Sequence, residues 1–134
     1  MNDIQLTHSI IGAAIDVHRE LGPGLLEIVY REALCHELSL RQIPYEKEKP
    51  IPALYKNVKL DCGYRADIVV CGRIVVEIKA ISAIAPVHDA VMLTYLRLSG
   101  CKAGLLINFY SPVLKDGIKR YVWGYPARDS KKES

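Results

Sequence analysis

Between Arg65 and Ala80 the chain reads RADIVVCGRIVVEIKA, two runs rich in Ile and Val either side of Cys71-Gly72. β-Branched residues at this density belong to strands, and strands this apolar are normally buried in a sheet. Asp67, Glu77 and Lys79 interrupt them. An unpaired charge inside a core costs several kcal/mol in practice. Any fold built on this segment must therefore give the three charges partners, or open to water where they sit.

Side chains alternate along a strand, so Glu77 and Lys79 share a face with Val75, while Ile74, Val76, Ile78 and Ala80 take the other. The hairpin loop decides where Asp67 goes. A two-residue Cys71-Gly72 turn would pair Asp67 with Val76, on the wrong face. A three-residue loop, Val70-Cys71-Gly72, would pair it with Val75 and make the two carboxylates diagonal neighbours, ~7–8 Å apart at the backbone. Such loops commonly end on a left-handed residue, which Gly72 supplies, and this favours the longer loop. Two acids on one face can share a hard cation, with Lys79 beside them to hold a water or an anionic oxygen. The pattern alone leaves open a second reading, an internal ion cluster with Lys79 between Asp67 and Glu77.

The other elements follow from periodicity. An apolar stripe of Leu6, Ile10, Ala13, Ala14, Val17 and Leu21 predicts a helix over Asp3–Leu21, stopped by Gly22-Pro23-Gly24. A second helix over 25–40, with Leu26, Val29, Tyr30, Ala33, Leu34 and Leu38 inward, would form a hairpin with the first. A strand over 45–55 carries Pro50 and Pro52 and should lie at a sheet edge. Lys56-Asn57 reads as a tight turn into a strand over 58–69, and 74–80 completes an antiparallel meander. Pro86 opens a helix to Ser99, which would cross over to a buried strand at 103–109. A short basic helix at 114–121 would follow. The order ααβββαβα implies an α/β chain of the α+β kind, with a mixed sheet flanked by helices.

At 134 residues the chain suits one domain, taken as residues 1–128, with a charged tail at 129–134 expected to be disordered. The net charge of +3 permits a polyanionic partner without demanding one. The N-terminus has no signal-peptide core, and no apolar run reaches membrane-spanning length. Cys35, Cys62, Cys71 and Cys101 form no CxxC or zinc spacing and sit among apolar neighbours. We expect partly buried, reduced thiols in a cytoplasmic protein.

An Asp on one strand followed, after a hairpin, by Glu77-Ile78-Lys79 resembles the PD-(D/E)XK nuclease signature, with Ala66 where Pro often stands. GLLEIVY, Gly24 to Tyr30, matches the pattern that names the GxxExxY protein family. IIGAAIDVHRELGPGLLEIVYREAL, LDCGYRADIVV, VVEIKA, LTYLRLSG and GLLINF also look like that family, which is assigned to the PD-(D/E)XK superfamily. The resemblance implies a restriction-endonuclease-like αβββαβ core with an N-terminal helical hairpin. It implies a Mg²⁺- or Mn²⁺-dependent phosphodiester hydrolase acting on nucleic acid, DNA in preference to RNA. Asp67 and Glu77 would ligate the metal, and Lys79 would position or activate the attacking water. Glu27 would be the acidic residue of the helix that reaches the site through a metal-bound water. Read by itself, Glu27 is an exposed acid paired with Arg31 one turn on.

Related nuclease groups carry Gln-x-x-x-Tyr on the helix after the catalytic strands. Here Tyr95 is kept, but Val91 stands in the Gln position. That absence leaves a second function open: an inactive nuclease-fold protein serving as a nucleic-acid-binding or accessory interaction module. Substrate contacts are expected from Arg65, His88, Tyr95, Lys115, Lys119 and Arg120. The bland alternatives are a helix-start histidine for His88 and a solvated basic face for the last three. His18 reads as helix packing or capping. A homodimer would suit cleavage of a duplex, although nothing in the sequence locates an interface.

Overall fold

Residues 1–124 are described by a computed structural model. The expected tail at 129–134 lies outside the described residues. Helix α1 spans Asp3–Leu21 and is fixed at its start by a capping box: Gln5 N–H donates to the Asn2 side chain and Asn2 N–H donates to Gln5 Oε1. Leu6, Ile10, Ala13, Ala14 and Val17 are buried as the stripe requires, while Leu21 is exposed. Helix α2, Glu27–Leu40, begins two residues later than the pattern suggested. Tyr30, Leu34, Cys35 and Leu38 form its inward face, but Leu26 and Val29, expected to be buried, are exposed.

The strands are β1 (Tyr45–Pro50), β2 (Ala53–Tyr55), β3 (Val58–Leu60), β4 (Arg65–Val70), β5 (Ile74–Lys79), β6 (Ala103–Asn108) and β7 (Ile118–Val122). Five of them form one mixed sheet in the order β1-β4-β5-β6-β7. β1, β4 and β5 make the antiparallel meander, with proline-terminated β1 at the edge. Helix α3, Pro86–Ser99, crosses over to set β6 parallel to β5. This is the α+β architecture of the restriction-endonuclease-like fold.

Two long strands expected from the sequence are each divided. Ile51 and Pro52 part β1 from β2, and residues 61–64 part β3 from β4. The pair β2–β3 thus forms a separate hairpin, turning at Lys56-Asn57 with positive φ at both residues. The expected basic helix at 114–121 is corrected to a 3-10 turn at Leu114–Gly117 followed by β7. Without β7, the largely apolar strand β6 would expose one row of unpaired backbone groups, and β7 pairs with that row.

The sheet separates two cores. α1 and α2 pack on Ile68, Val70, Ile74, Val76, Ile78, Leu105 and Ile107. On the other face α3 places Met92, Tyr95 and Leu96 over Val69, Val75 and Leu106. Gly104 allows α3 to lie this close, since a Cβ there would come within 2.6 Å of Met92 Sδ.

Candidate active site

The site begins at the hairpin between β4 and β5. Cys71 and Gly72 both take positive φ, 54° and 66°, and Arg73 N–H donates to the Val70 carbonyl at 2.9 Å. The pairs are Val70 with Ile74, Val69 with Val75 and Ile68 with Val76. The loop is therefore three residues long, as expected, but it comprises Cys71-Gly72-Arg73. An odd loop in this register sets Asp67 and Glu77 across from one another. The shift in register makes them direct opposites instead of diagonal neighbours.

At these two residues the ladder stops and the carboxylates replace it. Asp67 N–H donates to Glu77 Oε2 at 2.8 Å, and Ile78 N–H donates to Asp67 Oδ2 at 2.8 Å. Each acid thus satisfies a backbone amide of the opposing strand where the two strands part. The edge strand changes course at the same level: Glu48, between Lys47 paired with Ile68 and Lys49 paired with Ala66, has φ of 52°. Simple alternation fails here too. Ile68 faces the α1–α2 core, yet Ala66 packs in the α3 core. Asp67 sits at this change of face, and its side chain lines a cleft of about 220 Å³ with Glu27, Ile28, Arg31 and Ile78.

Burial pushes the Asp67 carboxyl above its ordinary range, against the Ile78 N–H and the Lys79 charge that pull it down. Glu77 is pushed up to about 8, first by burial and then by the negative charge of Asp67. Lys79 lowers both acids but, among the described residues, forms no ion pair with either. The alternative of an ammonium seated between the two acids is therefore not the arrangement found. Among the described residues no three His, Cys, Asp or Glu side chains gather into a metal cage. What gathers is a pair of carboxylates, each with one oxygen held by a backbone N–H. That set suits Mg²⁺ or Mn²⁺, which binds through one or two carboxylates while keeping waters and taking substrate phosphate oxygens.

Glu27 reaches this end of β5 by way of the preceding loop. Tyr30 stacks on Phe109, ring centroids 4.4 Å apart and planes 9° from parallel. Its hydroxyl donates to the Gly22 carbonyl and accepts from Leu25 N–H at 3.1 Å. Gly24 completes the loop at φ of 100°, a conformation that disfavours any side chain. Glu27 then opens α2 and accepts from Ala80 N–H at 3.1 Å. The spacing Gly-x-x-Glu-x-x-Tyr is thus a loop, a carboxylate and an anchor. Arg31, the alternative partner of Glu27, pairs instead with Glu32 at 3.4 Å and Glu48 at 3.6 Å.

Sequence reasoning missed Asn108. It is buried at the end of β6, beside Lys79 in the parallel ladder. Its Oδ1 accepts from Ile81 N–H at 3.1 Å and Tyr110 N–H at 3.2 Å, and its Nδ2 donates to the Ile81 carbonyl at 2.9 Å. Both polar groups of Ile81 are clamped, which fixes the chain as it leaves Lys79. The signal was a single amide in the otherwise apolar run GLLINF.

The expected substrate residues are scattered. Arg65 is exposed and leans toward Asp61 at 3.6 Å. The Tyr95 hydroxyl donates to the Arg65 carbonyl at 3.3 Å, and its acidity is suppressed, up to about 12, by burial and then by the charges of Glu77 and Asp67. His88 Nδ1 accepts from Ala85 N–H at 2.8 Å, so it serves as the helix-start cap of its bland alternative. Val91 lines a small hollow with Tyr64, Thr94 and Tyr95, so an apolar side chain occupies the Gln position. Lys115, Lys119 and Arg120 do not form one basic face, because the segment is a turn and a strand. Lys115 lines a cleft against α1, Lys119 pairs with Asp89 of α3 at 2.8 Å, and Arg120 faces α1 beside Asp3. His18 packs as expected, its Nε2 donating to the Ser111 carbonyl at 2.9 Å. All four cysteines are free, and Cys62 is exposed, contrary to expectation.

A mixed sheet whose central antiparallel strands part around an Asp and a Glu, with a Lys two residues beyond the Glu, is the D…E-x-K arrangement of a nuclease fold. A family model of the PD-(D/E)XK nuclease superfamily matches residues 4–121, and the chain belongs to that superfamily. Comparison with curated proteins and with solved structures gave no match. Among the described residues no helix is long and apolar enough to cross a membrane.

Proposed function

We propose that this chain is a Mg²⁺- or Mn²⁺-dependent nuclease that hydrolyses phosphodiester bonds in DNA. The observation that carries the reading is the fork: Asp67 and Glu77 each hold an amide of the opposing strand, without an ion-paired countercharge, and Asp67 opens onto a cleft that Glu27 also lines. Asp67 and Glu77 would hold the cation. When bound, such a cation polarises the scissile phosphate and acidifies water.

The remaining roles belong to the chain. Lys79 leaves β5 at the level of Asn108, with its carbonyl held by Phe109 N–H at 2.8 Å, and its ammonium orients the attacking water and offsets the negative charge that develops on phosphate. Glu27 stands across the cleft and orients a second water through its remaining carboxylate oxygen. Tyr30 and Asn108 are positioning residues, the first for Glu27 and the second for the segment after Lys79.

Cleavage of plasmid DNA, single-stranded DNA and RNA in Mg²⁺ and in Mn²⁺ tests this. Wild type should cut DNA, and Asp67→Asn and Lys79→Ala should each lose about a hundredfold or more, as removal of a group that stabilises the transition state does. A wild type as inert as Lys79→Ala on every substrate would overturn the enzyme reading. It would favour the second one, a binding module of nuclease fold, for which the apolar Val91 beside Tyr95 is the supporting observation.

A further inference from the structure

The hairpin β2–β3 belongs to neither core. Every residue from Leu54 to Arg65 is exposed. The hairpin pairs Tyr55 with Val58, Leu54 with Lys59 and Ala53 with Leu60. One of its faces therefore carries Tyr55, Val58 and Leu60, and Tyr55 and Val58 are 62% and 56% exposed. An isolated two-stranded hairpin is marginally stable at best in water. Apolar residues held this open on such an element signal a surface used by a partner.

Its placement says which partner. The arm leaves the sheet after Pro50 and re-enters at Arg65, two residues before Asp67, and its base is closed by Ile51 N–H donating to the Tyr64 carbonyl at 2.9 Å. It therefore springs from the end of the sheet where β4 and β5 part around the candidate site. Lys56 occupies the tip, its Nζ 5.4 Å from the centre of the Tyr55 ring, and Lys59 follows on the return strand. Among the described residues neither lysine forms an ion pair, whereas Lys47 and Lys49 of the neighbouring edge strand pair with Glu32 and Glu46. Two uncompensated cations on an exposed ribbon are complementary to a polyphosphate.

We propose that the β2–β3 arm enters the major groove of B-form duplex DNA, with Lys56 and Lys59 on the phosphates and the apolar face against the groove floor, and so holds the duplex at the Asp67–Glu77 fork. This rests on the nuclease reading above for what happens to the bound strand. A two-stranded ribbon fits the B-form major groove, about 12 Å wide. The deep, narrow major groove of A-form RNA does not admit side chains. The arm therefore selects duplex DNA by groove shape, while its contacts to phosphate set affinity without reading sequence.

The test is fluorescence anisotropy of the full chain in EDTA with a labelled 20-base-pair mixed-sequence DNA duplex, competed by the RNA duplex of the same sequence. Working without a divalent cation separates binding from cleavage, so a failed nuclease reading leaves this result standing. Lys56→Ala/Lys59→Ala should weaken duplex binding by about tenfold and lower the slope of log K against log salt by about two. Both lysines are exposed, so folding should be unaffected, and circular dichroism checks it. The arm proposal is overturned by affinity and slope unchanged in the double variant, or by RNA duplex competing as well as DNA. It is also overturned if wild type sediments as a dimer and a Tyr55→Ser/Val58→Thr variant as a monomer with DNA affinity intact, since the apolar face would then belong to a second copy.

Discussion

Replacing Glu77 with Gln should make the cation-free protein more stable at alkaline pH. The Glu77 carboxyl is pushed up to about 8 from an ordinary 4.5, by burial and by the facing Asp67. The folded state therefore keeps a proton that the unfolded chain releases. The stabilisation this gives is complete below about pH 4.5, falls as pH rises, and is gone above about 8. Each pH unit in that window is worth about 1.4 kcal/mol, so between pH 4.5 and 7 wild type should lose about 3 kcal/mol from this group. The Glu77→Gln side chain keeps an oxygen to accept from Asp67 N–H, as the glutamate does at 2.8 Å, and carries no charge. Urea unfolding in EDTA at pH 5, 7 and 8.5 should show the variant overtaking wild type as pH rises, by about 2–3 kcal/mol at pH 8.5. Added Mg²⁺ should then stabilise wild type and leave Glu77→Gln almost unmoved. A variant with the same pH slope as wild type, or one less stable at pH 8.5, would refute the reasoning.

Three further outcomes can be checked by the same unfolding measurement. Tyr30→Phe keeps the stack on Phe109 and removes both hydrogen bonds to the loop before α2, which should cost about 1–2 kcal/mol; an unchanged midpoint would show that the loop holds without its anchor. Asn108→Leu strands both polar groups of the Ile81 peptide, for a loss of about 2–4 kcal/mol, and hydrogen exchange at Ile81 should accelerate. Gly104→Ala drives a methyl against Met92 and should cost about 1–3 kcal/mol, and Met92→Val in the same chain should recover part of it; no recovery would place the clash elsewhere.

Much of the chain is legible without coordinates because apolar spacing maps directly onto burial. The bounds of α1 and α3, the proline-bearing edge strand, the crossover to β6 and the odd length of the loop between β4 and β5 all follow from local periodicity and turn chemistry. The motif Gly24 to Tyr30 is visible as a pattern, though the hydrogen bonds of Tyr30 that give it meaning run to residues outside any helical period. The segment 114–121 misleads because its apolar spacing also fits a helix. What settles it is the need of β6 for a neighbour, a demand placed by a strand ten residues earlier in the chain. For the same reason the three basic residues there are dispersed instead of gathered.

By itself the sequence determined most of the helices and strands, and that two acids and a lysine must lie at one end of a buried hairpin, because apolar periodicity and side-chain alternation are properties of the local chain. Only the tertiary structure decided that Asp67 and Glu77 stand directly opposite, each taking an amide the ladder has released, with Glu27 carried to the same cleft. Register depends on which turn residues accept positive φ, and the parting of β4 from β5 depends on strands and helices packed from elsewhere in the chain, so neither is written in any short stretch.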